Sequence, residues 1–213
     1  MSGPRTPVAA VRTPIAAEDQ ARANFYALLS RLFVAAPDAA LLHAIARASE
    51  LAVETGTGVA HDFSGSWAML RAASEAMDPQ AAAQEYVDLF VGVGRSEVSL
   101  HAAAYLRSAG GSVLAELRAE LARLGLGRPE PSPLYEDHLG AVLETMRLLV
   151  GGAPGVEPRA LAEQQRFFAA YVEPWAARCC DAIIASPIAN YYRRVAEFVK
   201  SFVAIERDSF AIE

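Results

Sequence analysis

Apolar residues in this chain recur at three- and four-residue spacing in one segment after another, and no run alternates apolar with polar as a half-buried strand does. From Glu18, the positions Ala21, Phe25, Leu28, Leu29, Leu32 and Phe33 form the stripe of an amphipathic helix. It must stop before Pro37, because the residue ahead of a proline is pushed out of helical geometry. Further helices are predicted over 38–50 and 64–77, separated by a glycine-rich loop at 55–58, and a fourth opens at Asp78-Pro79. In that fourth helix Tyr86, Leu89, Phe90 and Val93 mark the buried face. Val113, Leu114, Leu117, Leu121 and Leu124 place another helix, which Gly125 and Gly127 stop. Residues 159–185 read as one long helical segment that Pro174 must kink or divide, since proline removes the bond to the carbonyl of Ala170. A last helix from Ile188 carries Tyr191, Tyr192, Val195, Phe198, Val199 and Phe202 on one side. The expected fold is all-α, a single compact domain of about eight helices over residues 18–213.

Two stretches break this regularity. Residues 91–111 hold four glycines and no clear period, so they read as a long ordered loop with some irregular helix, and loops of that length inside a domain tend to carry function. In residues 130–150, EPSPLYEDHLGAVLETMRLLV, a proline-rich entry leads into an acidic-histidine cluster and then an amphipathic helix. Ser132 is placed to cap that helix and Pro133 to occupy its first position, with Glu136 and Asp137 at the positive helix end.

With 53% hydrophobic and 21% charged residues in 213, the chain can fill a core without staples. Its two cysteines, adjacent at Cys179 and Cys180, support neither a disulfide framework nor a zinc site and suit a reducing compartment. The net charge of −6 argues against a nucleic-acid surface and favours a basic peptide partner. No stretch approaches 18 uncharged apolar residues, and the opening residues form no signal-peptide core. The expectation is therefore a cytoplasmic protein without stable membrane insertion. Residues 1–17, in which Arg5-Thr6-Pro7-Val8-Ala9-Ala10 is nearly repeated from Arg12, read as a disordered tail.

The side chains that could carry chemistry admit bland readings as well. Asp137 beside His138 suggests a tuned base, but neighbours on a helix do not face each other, so helix-start and loop-pinning roles, a binding role and catalysis all stand as alternatives. His43, His61 and His101 show no HExxH-type spacing and read as ordinary polar residues. Gly92-Val93-Gly94 follows a helix rather than a strand, so it does not make a nucleotide loop. Tyr86, Phe90 and Tyr105 are either core or the lining of a groove for an apolar helix or peptide.

Together EYVDLFVGVGRSEVSLHAAAYL (85–106) and EPSPLYEDHLGAVLETM (130–146) resemble the two signature regions of the TorD/DmsD family of redox-enzyme maturation chaperones. The resemblance covers roughly residues 18–210 and is strongest in those two regions. It departs where a proline-rich linker is usual and this chain has Val93 to Val98, and where Tyr135 rather than proline precedes the acidic pair. The GVGRSEV run and the FF…PW run look most like the subgroup associated with formate dehydrogenases.

The resemblance implies a TorD-like helical domain, monomeric or domain-swapped into a homodimer, and a chaperone rather than an enzyme. Its implied partners are the twin-arginine signal peptide and catalytic subunit of a molybdoenzyme, held until cofactor insertion is complete. By resemblance alone it allows weak guanine-nucleotide or molybdenum-cofactor contact; otherwise no cofactor and no metal is expected. A twin-arginine leader joins basic charge to an apolar segment, so it calls for an acidic rim beside an apolar groove. The residues nominated are Glu136, Asp137 and His138 for the rim, and Tyr86, Leu89, Phe90 and Tyr105 for the groove. The competing readings are a structural helical subunit or adaptor of a redox complex, and a metal-dependent hydrolase using Asp137 and His138.

Overall fold

The computed structural model of the protein describes residues 15–51, 58–107, 111–127 and 134–212. Most of the expected N-terminal tail, residues 55–57 of the glycine-rich loop, and the capping pair Ser132-Pro133 lie outside the described residues. Nine α-helices occur among them: α1 (Ala17–Val34), α2 (Ala39–Arg47), α3 (Val59–Ala76), α4 (Pro79–Tyr86), α5 (Val113–Arg123), α6 (Leu139–Gly151), α7 (Leu161–Tyr171), α8 (Glu173–Ala185) and α9 (Tyr191–Ile212). No strand occurs among the described residues beyond two isolated bridges, one of which joins His101 to His138. The all-α expectation holds.

Local chemistry sets most helix ends. Asp38 accepts the amide of Leu41 at 2.7 Å, and Asp78 accepts those of Gln80 and Ala81 ahead of Pro79 in the first turn. Ser112 caps α5 through Ala115. Pro174 divides the long helical segment: the chain breaks at Val172, and proline then sits in the first turn of α8, where its missing amide costs nothing. One boundary differs from expectation. Helix α6 opens at Leu139 rather than near Pro133, so Glu136 and Asp137 belong to the turn ahead of it and not to its first turn.

Helix α1 runs antiparallel against α6, and glycine makes the approach close. A Cβ on Gly140 would lie 2.6 Å from a Val34 methyl, and one on Gly151 would lie 2.9 Å from the Ala23 methyl. Ser30 Oγ donates to the Gly140 carbonyl at 2.8 Å across the same contact. On the other side α9 packs against α3 and α8. Phe25, Phe63, Trp67, Phe198 and Phe202 interlock there, with Phe63 stacked on Phe198 at 5.2 Å. Glu206, only 1% exposed, accepts from Arg22 at 2.8 and 2.9 Å and from the Tyr26 hydroxyl at 2.7 Å, so a fully satisfied buried charge ties α9 to α1.

The start of α9 depends on a residue from α4. Buried Glu85 accepts the amides of Asn190 and Tyr192 at 2.8 Å and of Tyr191 at 3.0 Å, satisfying orphan donors where the helix dipole favours a negative charge. Glu85→Ala should lower the unfolding free energy by about 2–4 kcal/mol, because three amides, two of them buried, lose a charged acceptor, while Glu85→Gln should lose roughly half of that. Denaturant midpoints at unchanged slope measure the effect; an alanine variant within about 0.5 kcal/mol of the parent would refute the capping role.

Candidate functional site

The π-helical turn Val87–Val91 that extends α4 ends at Gly92, whose φ of +63° and tight turn admit no side chain: a Cβ would meet the Arg95 carbonyl oxygen at 2.1 Å. The chain then continues with little regular structure, and where it is buried neighbouring elements satisfy several of its peptide groups. Val98 donates to the Leu89 carbonyl at 2.9 Å, Leu139 donates to Leu100 at 2.8 Å, and Ala102 donates to Asp137 at 2.9 Å. The Tyr105 hydroxyl donates to the Ser99 carbonyl at 2.9 Å, its ring stacks on Trp175, and Arg178 binds its carbonyl.

This irregular segment brings His101 to the acidic turn. Asp137, 4% exposed, faces His101 Nδ1 at 2.9 Å and accepts the Ala103 amide at 3.4 Å. Burial works to raise its carboxyl, but the His101 hydrogen bond and charge, with the Ala103 amide, outweigh it and hold the group below its ordinary value. His138, 5% exposed, caps α6: its Nδ1 accepts the Gly140 amide at 3.1 Å, which requires that nitrogen to be unprotonated. Burial, reinforced by His101 and partly offset by Asp137, pushes this imidazole down to about 4. The side chains of Asp137 and His138 thus serve different partners although they adjoin in sequence. No cluster of three or more His, Cys, Asp or Glu suited to a metal ion occurs among the described residues.

Beside this turn lies an apolar groove of about 220 Å³ between α1, α5 and α6. Val34, Leu121, Leu126, Leu134, Ala141 and Leu148 line it, with Glu136 and Glu144 on its wall. Glu136 is held by Arg118 of α5, Nε to Oε1 at 3.1 Å and Nη2 to Oε2 at 3.1 Å, and Glu144 by Arg147.

Of the residues nominated from sequence, Glu136 lines this groove, whereas Asp137 and His138 are buried and do not line it. Tyr86, Leu89, Phe90 and Tyr105 do not line it. Leu89 is fully buried and belongs to the core. The Tyr86 hydroxyl donates to the Phe33 carbonyl at 3.0 Å, and Phe90 packs on Tyr192 at 4.9 Å, so these rings anchor the start of the irregular segment. Sequence reasoning missed His101, Arg118 and the leucines of α5 and α6 as parts of one site. His101 and Asp137 stand 36 residues apart, and no spacing rule joins them.

Residues 57–181 match the family model described as nitrate reductase delta subunit, a span that includes the π-helical turn, the irregular segment and the acidic turn. No curated protein matches the chain.

The His138 environment sets a pH dependence. The unfolded chain takes up a proton there near 6.5 whereas the folded chain resists it until about 4, so the folded state loses stability as pH falls through that window, by about 3 kcal/mol. His138→Asn keeps a side-chain acceptor for Gly140 and removes the titrating group. Between pH 7 and pH 4 the difference in unfolding free energy should move in the variant's favour by roughly that amount. A difference constant across the window would mean that the folded imidazole titrates normally.

Proposed function

The chain belongs to the nitrate reductase delta subunit family, a family of molybdoenzyme maturation chaperones, and on that premise we propose that it binds the twin-arginine leader of a molybdenum-cofactor oxidoreductase in the cytoplasm. Holding the leader would delay export of the catalytic subunit until its cofactor is in place. The observation that carries this reading is the apolar groove between α1, α5 and α6 with Glu136 at its wall. A leader offers guanidinium groups next to an apolar stretch, and such a groove offers a carboxylate next to leucines, so the two are complementary in both respects.

In this reading Glu136 receives the leader's charge. Asp137 and His138 act through position: the first pins His101 and the irregular segment, and the second sets the start of α6. Tyr86, Leu89, Phe90 and Tyr105 hold the segment that braces them. The client we propose is of the formate dehydrogenase class, on the likeness of the GVGRSEV run and the FF…PW run to that subgroup.

The reading is tested by calorimetric titration with leaders of candidate molybdoenzymes, against twin-lysine and scrambled controls. Glu136→Gln should weaken binding of the cognate leader by about 3- to 10-fold, with most of the loss disappearing at high salt. Leu148→Gln should weaken it comparably at every ionic strength, since apolar contact is not screened. Parental affinity in both variants would remove the leader from this groove.

A further inference from the structure

Some arginine-carboxylate pairs join residues three apart on one helix, as Arg123 with Glu120, Arg147 with Glu144 and Arg194 with Glu197 do, and others join different helices, as Arg166 does with Glu120. Among the cross-element pairs, that of Arg118 engages an acid on the groove wall. Arg118 reaches from α5 to the turn ahead of α6, across 18 residues of sequence, and sets two nitrogens against the two oxygens of Glu136, each at 3.1 Å. Its own side chain is 48% exposed while that of Glu136 is 12% exposed, so Arg118 covers the carboxylate from the solvent side. It also stands one helical turn before Leu121, which lines the groove that Glu136 walls.

We infer that Arg118 is an internal competitor for the guanidinium position on Glu136: an arginine-bearing apolar segment must displace it in order to enter. This rests on the reading of the groove as a leader site for the identity of the entering segment, though not for the competition itself. Exchanging one guanidinium for another on the same carboxylate is close to neutral. A basic peptide without apolar residues therefore gains little here, and net affinity has to come from contact with Leu121, Leu126 and Leu148. Arg118 thereby selects for segments that carry both features and against merely basic ones.

The experiment compares Arg118→Ala with the parent chain and with Arg207→Ala, which removes the same charge from α9 where Arg207 pairs with adjacent Asp208. In titrations with a twin-arginine leader, Arg118→Ala should bind about 2- to 5-fold more tightly than the parent, the range spanned by one exposed ion pair. Arg207→Ala should change affinity by less than that. Equal gains in the two variants would assign the effect to net charge and overturn the inference, as would unchanged or weaker binding in Arg118→Ala.

A second arm uses N-acetyl-arginine amide alone, followed by NMR at the Tyr135 and Glu136 amides. Saturable shifts are expected in Arg118→Ala and not in the parent; the same response in both proteins, or none in either, overturns the inference. If no leader binds any of the three proteins, the leader reading falls, and the amide probe still decides the competition.

Discussion

A peptide group withdrawn from water must find a partner, and residues 98–102, all buried or half-buried, have almost no helix or sheet in which to find one. The architecture around them follows from that demand. Leu89 at the end of the π-helical turn accepts from Val98, and the first residue of α6 donates to Leu100. The backbone of Asp137 accepts from Ala102 while its side chain accepts from Ala103, and Cys179 of α8 donates its thiol hydrogen to Ser99. One irregular segment thereby joins α4, α6 and α8, and Glu85 extends the chain of dependence from α4 to the start of α9. Asp137 is the joint of this arrangement, because both its backbone and its carboxylate are committed to the irregular segment.

The helices were legible in the sequence because each buries a stripe whose period is that of the helix itself. Breakers were equally plain: Pro37 after α1, Asp78-Pro79 at α4 and Pro174 at the α7 to α8 break all act through the backbone of their own neighbourhood. The start of α6 was not legible. Ser132 and Pro133 give a strong local start signal, yet the helix opens at Leu139, where the amide of Leu139 meets Leu100 and that of Gly140 meets His138. Histidine is a poor cap by propensity; here a carbonyl from 39 residues upstream and a buried imidazole supply what the cap must supply.

The site was legible only in part, and for the same reason. Glu136, Asp137 and His138 announced themselves by type and adjacency, but adjacency misled about their relation: one faces Arg118, one His101, and one its own helix. Tyr86, Phe90 and Tyr105 admitted both a core and a groove reading because aromatics at helical spacing serve cores and binding surfaces alike. What separates the two is the far side of the contact, and at Phe90 it is occupied by Phe33 and Tyr192. The groove between α1, α5 and α6 is built from small residues as much as large ones. Gly140 lets α1 and α6 close to contact, and the leucines of α5 and α6 stand around the resulting hollow, a relation that no single segment contains.

The distribution of acids then divides their labour. Glu85, Asp137 and Glu206 are buried and fully engaged with amides, an imidazole or a guanidinium, so their charge is spent on holding helices together. The net charge of −6 acts outward through the remaining surface acids, which steer a basic partner at long range but are screened and weak at contact. Glu136 stands between the two groups: nearly buried, on the wall of an apolar hollow, and paired with an arginine that is itself half-exposed. If the groove holds the leader as we propose, a carboxylate in that position contributes little to steering and much to the orientation of the entering guanidinium. In that reading the affinity lies in the leucines and the selectivity in Glu136, since Glu144, the other acid on the wall, is engaged by Arg147 of its own helix.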